Sequence, residues 1–491
     1  MLLIIAFFVK IKSWFNWVDA MILPVIIAGG AGSRLWPVSK NSLPKQFICF
    51  PQFKESLFQK TVNRIAGIPN VMPPLVICGK SHHSLVNEQL RSIEQSDGTI
   101  MLEPYGRGTA PACAMAALLA EQRAPDTILL VLPADHLIQD IAGFQQAIQA
   151  AIPAALQRYL VTFGIRPATS SEGYGYIKKG EQIGGTSGFE VSYFAEKPEK
   201  SVAESYLRDG GYLWNSGMFL MSAQLYLDEL EKHAIDVFKA CTRSFENLTR
   251  KDNFLEITES DFSNCPNDSI DYAVMEKTNK AAVVTLDVGW NDLGEWESIA
   301  AVSSKDESDN TTIGDVHVDD VRGSYIQAND RLVAALGIKD MVIIETADAV
   351  LVSGKKSVQD VKKIAESLKS ESEETTTSTE VQKPWGFYRS LTKEDGYQVK
   401  KLFIRPGESL SLQRHKHRAE HWVIINGKGV VTCGAKKITL TKNENIFISA
   451  GQKHRVANPF SENLEIIEVQ VGDYLEEDDI ERFEDEYGRQ D

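Results

Sequence analysis

The sequence predicts an α/β fold with a first region built on an open, mostly parallel sheet. Apolar runs at residues 22–28, 74–78 and 127–132 end in polar or Gly-containing turns, as buried parallel strands do. The Ala-rich stretch 112–122 lies between two of these runs and has the composition of a helix. A polar, low-complexity segment around residues 371–383 then separates this region from a second one rich in strands.

Length, charge and cysteine usage limit the class of protein. With 491 residues, and about 150 residues per domain as a prior, we expect two to four domains. The net charge of −15 argues against nucleic acid or an anionic membrane surface as a partner. The six cysteines form no C-x-x-C pair, which favours a reducing compartment and hence a cytoplasmic protein.

We expect four segments after residue 20. Residues 21–300 form the main α/β domain, 301–370 a small β-rich unit, 371–383 a linker and 384–491 a second domain. The apolar run 2–9 is too short to span a bilayer, and its lysines follow it rather than precede it. We therefore expect residues 1–20 to be an upstream extension before Met21, with a membrane-touching segment as the alternative.

A glycine-rich loop follows the first predicted strand. Its glycines are Gly29, Gly30 and Gly32. Backbone N–H groups there can approach a phosphate closely, and Arg34 and Lys45 supply two cations for the charge that develops when a phosphoanhydride is exchanged. A dinucleotide fingerprint would need Gly in place of Leu35, and no Gly-Lys-Ser/Thr follows as in a P-loop.

The whole string GGAGSRLWPVSKNSLPKQF resembles the signature of the sugar-phosphate nucleotidylyltransferases. Its LWP and PKQF segments are most similar to mannose-1-phosphate guanylyltransferases. The resemblance implies a Rossmann-like nucleotidyltransferase domain with GTP and mannose 1-phosphate as substrates and Mg²⁺ as cofactor. It also implies that Arg34 and Lys45 are catalytic and that, with the loop glycines, they bind the nucleotide.

Two further stretches are candidates for nucleotide and metal binding. The loop with Glu103, Gly108 and Thr109 resembles the family's base-binding loop, although a plain capped helix start fits its second half equally well. Asp135 follows a buried strand, where a carboxylate can bind Mg²⁺; an Asx-turn is the alternative. The resemblance makes Asp292 the partner of Asp135 at the metal.

The sugar-phosphate pocket is predicted from three aromatic and glycine-containing stretches, GYGYI, FAEKP and WNSGMF. In the order in which the resembling family has them, they supply Gly175, Glu196, Lys197 and Asn215. Glu196 can accept hydrogen bonds from sugar hydroxyls, Lys197 can meet the phosphate and Asn215 can do either. Each residue alone is more typical of a loop or a core.

Two spaced motifs in the last region resemble the cupin motifs and imply a C-terminal cupin β-barrel. Their residues predict a site for Zn²⁺, Co²⁺ or another divalent metal. The expected ligands are Gln413, which stands where the motif usually has His, and His415, Glu420 and His454. Strand parity places His417 on the same face, as a rival ligand.

The phrase QRHKHRAEHW also resembles the type II phosphomannose isomerase signature, which implies interconversion of mannose 6-phosphate and fructose 6-phosphate for polysaccharide precursors. Arg418 is the candidate for the phosphate or for enediolate charge. The proton-transfer base stays open among His417, His421 and a further carboxylate. A sugar-sensing or oligomerising barrel is the alternative, and a homo-oligomer is left open. Residues 476–491 read as an acidic tail or helix.

Overall fold

The structure is a computed structural model that describes residues 21–30, 32–124, 126–251, 254–371 and 380–484. The expected extension at residues 1–20 and the end of the expected tail at 485–491 lie outside the described residues. None of the helices among the described residues is long and apolar enough to cross a membrane.

The first region contains eleven described strands and nine α-helices. The strands are β1 (Ile22–Ile27), β2 (Leu75–Gly79), β3 (Thr99–Glu103), β4 (Ile128–Pro133), β5 (Leu160–Ile165), β6 (Tyr176–Gln182), β7 (Phe189–Ala195), β8 (Tyr212–Ser222), β9 (Thr249–Arg250), β10 (Phe254–Glu256) and β11 (Ala281–Leu286). The helices are α1 (Leu57–Asn63), α2 (His83–Ser92), α3 (Thr109–Arg123), α4 (Ile141–Leu156), α5 (Lys200–Asp209), α6 (Ala223–His233), α7 (Ile235–Glu246), α8 (Glu259–Phe262) and α9 (Trp296–Ala301).

The strands of this region form one mixed sheet in the order β5-β11-β7-β6-β8-β4-β1-β2-β3-β10-β9. The pairs β4–β1, β1–β2, β2–β3 and β3–β10 are parallel, whereas β8 runs antiparallel to β4, β5 and β6. The α/β fold class is confirmed, although the sheet is mixed: the block β4-β1-β2-β3-β10 and the edge pair β5–β11 are parallel, and the other pairs are antiparallel. The loops after β1 and β4 therefore leave the same edge side by side, as parallel strands require.

The apolar pattern of the sequence explains how this sheet is covered. The central strand β1 is buried over five of its six residues, and the Ala-rich α3 packs its small side chains against the sheet. Helix α1 begins at Ser56 with a capping box, in which the Ser56 and Gln59 side chains each accept a hydrogen bond from the other's backbone N–H. These contacts fix the frame on which the loops after β1 and β4 sit.

The small unit that follows is rich in strands, as the sequence predicted. Its strands are β12 (Thr311–Ile313), β13 (Val316–Asp319), β14 (Tyr325–Ala328), β15 (Val333–Leu336), β16 (Met341–Thr346) and β17 (Ala349–Gly354), and α10 (Val361–Glu371) closes it. The pairs β12–β14, β14–β16 and β13–β15 are parallel. Apolar residues of this unit pack with Leu35 and Trp296, so it buttresses the segment that follows the glycine-rich loop.

The last region folds as two antiparallel sheets that close into the predicted β-barrel. One sheet has the order β18-β19-β20-β27-β22-β25 and the other β24-β23-β26-β21-β28. The strands are β18 (Glu380–Lys383), β19 (Gly386–Glu394), β20 (Tyr397–Ile404), β21 (Leu412–His415), β22 (Arg418–Asn426), β23 (Lys428–Cys433), β24 (Lys436–Thr441), β25 (Asn445–Ile448), β26 (His454–Ala457), β27 (Leu464–Gly472) and β28 (Ile480–Glu484).

Two boundaries in this region differ from the sequence-based expectations. Strand β18 occupies the end of the predicted linker and pairs with β19, while residues 372–379 of that linker lie outside the described residues. Residues 477–484 are not a solvated tail, because a short 3-10 helix (Glu477–Asp479) leads into β28, which pairs with β21. The sequence did not predict this strand, because β28 lies at the edge of its sheet and has acidic and few apolar residues.

Candidate functional sites

The glycine-rich loop and Lys45 form one packed unit at the carboxyl end of β1. Gly32 has a φ of +62°, and a Cβ there would lie 2.4 Å from the Cβ of Lys45, so any side chain would collide with the lysine. At Gly29 and Gly30, by contrast, an added Cβ would meet no described atom within 4 Å. The loop is therefore tight where it holds Lys45 and open where a ligand would approach. Arg34 lies exposed on the turn that follows.

Lys45 links the two predicted metal-binding aspartates. Its side chain is buried, and Nζ lies 2.7 Å from Oδ2 of Asp135 and donates to the backbone carbonyl of Asp292 at 2.6 Å. Burial alone would raise the pKa of the Asp135 carboxyl, but the charge and hydrogen bond of Lys45 outweigh it and hold that pKa below its ordinary value. Oδ1 of Asp292 accepts a hydrogen bond from the Tyr174 hydroxyl at 2.7 Å. The structure thus places both residues against Lys45, Asp135 through its partly exposed carboxylate and Asp292 through its backbone carbonyl.

His136 is held neutral beside this group. Burial lowers its pKa to about 4, and Trp290 donates its indole N–H to Nδ1 at 3.2 Å. Nε2 of His136 lies 3.8 Å from Oδ1 of Asp135, so Lys45, at 2.7 Å from Oδ2, is the nearer of the two neighbours of that carboxylate.

The predicted base-binding loop contains one unsatisfied carboxylate and one close backbone contact. Glu103 ends β3 and is buried, its Oε1 has no hydrogen-bond partner among the described residues, and burial raises its pKa to about 7. Gly108 has a φ of +84°, and a Cβ there would lie 2.2 Å from the carbonyl oxygen of Asp268. The Thr109 hydroxyl accepts the backbone N–H of Ile270 at 3.0 Å. Gly108 and Thr109 therefore anchor the segment at residues 268–270 in this structure.

The predicted sugar-pocket residues lie together around a carboxylate that sequence reasoning missed. A Cβ at Gly175 would lie 2.4 Å from Oε2 of Glu196, and Lys197 pairs with Oε1 of Glu196 at 2.9 Å. Asn215 donates through Nδ2 to Oδ1 of Asp271 at 2.8 Å. Burial, and then the charge of Glu196, raise the pKa of Asp271 to about 7. No local signal in the sequence marks Asp271, because the acidic residues Asp268 and Glu276 lie within five positions of it.

Three of the predicted ligands in the barrel form a buried group that could hold a metal ion. They are His415, Glu420 and His454, and one donor atom from each lies within 4.8 Å of the others. Nδ1 of His454 donates to the carbonyl oxygen of Gln452 at 2.9 Å, and Nε2 faces Oε2 of Glu420, 3.4 Å away. Nε2 of His454 and both ring nitrogens of His415 are buried without a hydrogen-bond partner among the described residues. Two imidazoles and a carboxylate with free lone pairs fit a divalent metal.

Gln413 and His417 differ in how they relate to this group. Gln413 pairs with His454 in the backbone register, and its Oε1 accepts from Ser411 at 3.2 Å. Strand β21 ends at His415, so residues 416 and 417 form a bend and the parity argument that made His417 a rival ligand is wrong. His417 is exposed, and its ring contacts Tyr474 instead.

Beside the metal group lies a cleft lined by residues of both sheets, several of them charged. Arg418 lines it, with Nε 3.6 Å from Oε1 of Glu420 and Nη1 donating to the carbonyl of Glu476 at 2.8 Å. Glu468 is buried there and accepts from Trp422 and Gln470, which also donate to Glu420. Burial and the charge of Glu420 raise the pKa of Glu468.

Sequence reasoning missed Glu468 and the equally buried Lys400 in this cleft. The signal was the strand alternation itself. In the apolar strands 397–404 and 464–472 the inward positions switch from apolar to polar partway along. A polar residue at an inward position of such a strand indicates a lined cavity.

Three family profiles match successive parts of the chain. Residues 23–309 match the family described as Nucleotidyl transferase, residues 315–368 the MannoseP isomerase/GMP-like beta-helix domain, and residues 370–485 the Mannose-6-phosphate isomerase C-terminal family.

Similar proteins extend over nearly the whole chain. The mannose-1-phosphate guanylyltransferase of Salmonella montevideo is 46% identical over 96% of this chain and 100% of its own length. The alginate biosynthesis protein AlgA of Pseudomonas aeruginosa is 45% identical over 95% of this chain and 97% of its own. Among solved structures, a mannose-1-phosphate geranyltransferase from Thermus thermophilus is 29% identical, with a TM-score of 0.63 over 71% of this chain and 99% of that one.

Proposed function

This chain belongs to the family of mannose-1-phosphate guanylyltransferases with a C-terminal mannose-6-phosphate isomerase domain, and we propose that it catalyses both reactions. The α/β region at residues 21–300 transfers GMP from GTP to mannose 1-phosphate, giving GDP-mannose and pyrophosphate. The barrel at residues 384–491 interconverts mannose 6-phosphate and fructose 6-phosphate. Together they supply GDP-mannose for polysaccharide synthesis, in line with the relative that is named for alginate biosynthesis.

The transferase proposal rests on the position of Lys45 between Asp135 and Asp292. The sugar phosphate attacks the α-phosphorus in line, and Arg34 and Lys45 stabilise the negative charge that moves onto pyrophosphate. The two carboxylates fit Mg²⁺, which, when bound with the nucleotide, neutralises phosphate charge. The Lys45 ammonium itself brings positive charge to within 2.7 Å of the Asp135 carboxylate.

Base and sugar recognition are assigned to the buried polar groups on either side of this centre. A carboxylate only accepts hydrogen bonds, and the guanine edge offers the adjacent N1–H and N2–H donors, so the unsatisfied Glu103 suits guanine. Gly108 and Thr109 hold that loop in place through their contacts with residues 268–270. Asn215 and Glu196 bind mannose hydroxyls, and Lys197 binds its phosphate.

In the barrel, His415, Glu420 and His454 would hold Zn²⁺, Co²⁺ or another divalent metal, with Gln413 as a further ligand when its amide turns from Ser411. A metal bound there would act as a Lewis acid on oxygens of the open-chain sugar. Arg418 lies next to Glu420 and stabilises enediolate charge. We assign the proton transfer to Glu468, the buried one of the two carboxylates that line the cleft, because His417 and His421 are both exposed.

The alternative is a nucleotidyltransferase whose barrel only binds sugar or forms an oligomer. The observation against it is that Arg418 and Gln470 line the cleft and also contact Glu420 of the metal group, so the cleft and the metal group are adjacent. A sensor would need recognition groups but no such contact.

The transferase proposal is tested with Lys45→Met in a pyrophosphate-release assay against a panel of nucleoside triphosphates and sugar phosphates. Loss of one preorganised cation should lower kcat by about 10²- to 10³-fold with GTP and mannose 1-phosphate, the pair expected to react fastest. Lys54→Met, which changes an exposed lysine nearby, is the matched control. A Lys45→Met rate within a few-fold of wild type would contradict the assignment.

A further inference from the structure

The cleft in the barrel has an anion-binding end that the metal group does not explain. Lys400 lies there with its side chain only 6% exposed, and Nζ lies 2.9 Å from Oε1 of Glu477. The same ammonium lies 4.7 Å from the centre of the Tyr388 ring. Burying a lysine costs free energy unless a negative group meets it, so a lysine aimed into a cleft marks a place for an anion.

The strand register sets Lys400 apart from the metal ligands. Lys400 faces Glu468 across β20–β27, and Glu468 faces Trp422 across β27–β22. Glu420 belongs to the next inward row, two residues along, which is a step of about 6.8 Å. That offset suits a hexose 6-phosphate, because carbons C3 to C6 separate its reacting end from its phosphate.

Arg418 lies on the other side of the Glu420 row. Arg418 precedes Glu420 by two residues on the same strand, and its backbone pairs with that of Gly472. Its Nε lies 3.6 Å from Oε1 of Glu420. Arg418 therefore contacts the metal group, and Lys400 does not. The two roles that the sequence left open for Arg418, phosphate binding and stabilisation of enediolate charge, can therefore be assigned to different residues.

Glu477 is an anion that the protein itself places at this end of the cleft. Burial would raise its pKa, but Lys400 and Lys383 lower it, so the carboxylate is charged near neutral pH. The backbone around it is fixed, because Arg418 holds the carbonyl of Glu476 and the Asp479 carboxylate accepts the N–H groups of residues 416 and 417. The Glu477 side chain is 48% exposed, so it can turn into solvent without moving this segment.

We propose that Lys400 binds the 6-phosphate of the hexose phosphate, and that the Glu477 carboxylate occupies this phosphate position until the substrate displaces it. The proposal rests on the isomerase function proposed above. It leaves Arg418 for the enediolate and makes Glu477 an internal competitor of the substrate. Removing the lysine and removing the competitor must then change affinity in opposite directions.

The test compares Lys400→Met, Glu477→Gln and wild type in the full-length, metal-loaded protein, with fructose 6-phosphate as substrate and inorganic phosphate as inhibitor. Loss of a charge-assisted hydrogen bond should raise the KM of Lys400→Met and its phosphate inhibition constant by about 10- to 100-fold, with a smaller change in kcat. Glu477→Gln should lower both constants. Lys401→Met is the matched control, because Lys401 follows on the same strand and pairs with Glu465 outside the cleft.

Metal content and transferase activity of each variant report whether the protein is intact. A Lys400→Met protein that is intact and keeps the wild-type KM and phosphate inhibition constant overturns the proposal, as does a Glu477→Gln protein that binds both ligands more weakly. If the wild type does not isomerise, the isomerase function fails. Calorimetric binding of phosphate to the same proteins then decides the anion site alone, with Glu477→Gln tightest and Lys400→Met weakest as the supporting order and no difference as the contrary one.

Discussion

The two candidate sites hold their charged groups in opposite ways. In the α/β region, Asp135 is partly exposed and already satisfied by Lys45, and Asp292 is satisfied by Tyr174. In the barrel, the ligand nitrogens of His415 and His454 are buried, make no hydrogen bond to the described residues and face the Glu420 carboxylate at 3.1 and 3.4 Å. Buried nitrogens without a hydrogen bond are costly unless a metal takes them, whereas satisfied aspartates gain from a metal only when a ligand draws Lys45 away. The first site therefore suits a metal that arrives with the nucleotide, and the second a resident one.

The largest effect is expected from substituting a metal ligand of the barrel, which tests the contrast between the two sites. Glu420→Gln should lose the barrel's metal and at least about 100-fold of isomerase activity, because a neutral amide replaces the only charged ligand. Transferase activity should stay within about two-fold, since distant sites act independently. Metal analysis and both activity assays measure this, with the exposed Glu462→Gln as the control. Asp135→Asn should do the reverse. Loss of both activities from either change, in folded protein, would refute the two-site description.

A smaller effect sharpens the contrast at Glu103, which is buried without a partner for Oε1. Burial raises its pKa to about 7, so the folded chain binds the proton more tightly than the unfolded chain. That stabilisation is complete below the unfolded pKa of about 4.3 and is lost as the pH rises through about 7. Glu103→Gln should therefore raise the unfolding free energy relative to wild type by on the order of 1–3 kcal/mol at pH 8 and much less at pH 5.

Thermal or denaturant unfolding at the two pH values measures the difference. Glu231→Gln, at an exposed helix position, should show no pH-dependent gain. An equal effect of Glu103→Gln at both pH values would mean that this carboxyl does not titrate differently in the folded chain. Transferase activity with GTP should fall in the same variant, because the amide cannot accept both guanine donors.

The smallest effect concerns the contact between the two regions. Arg405 of the barrel pairs with Glu88 of α2 at 2.8 Å, and Arg91 pairs with Glu408 at 3.4 Å. Both pairs are partly exposed, so Arg405→Gln should cost less than about 1 kcal/mol of unfolding free energy. Each activity should stay within about two-fold of wild type. A double-mutant cycle with Glu88→Gln measures the coupling, and a large loss of either activity would show that the sites depend on this contact.

Much of the first site could be predicted from local sequence, because each of its parts is a short stretch whose role depends on adjacent residues. The run of residues 22–28 forms β1, and Gly32 must be glycine where the chain turns back against Lys45. Lys45 and Asp135 were expected at this site, although not as a direct ion pair. Asp271 was missed because nothing near it in sequence shows that a short π-helix, Asp271–Met275, brings it against Asn215.

The sequence by itself determined the α/β class, the barrel and the group of His415, Glu420 and His454, because strand alternation and motif spacing are properties of adjacent residues. Only the tertiary structure decided what lies across from them. Lys400, Glu468 and Glu477 meet because β20, β27 and the 3-10 helix that leads into β28 come together, and His417 leaves the site because β21 ends two residues earlier. Contacts between distant strands depend on register, and a single bend reverses which face a side chain takes.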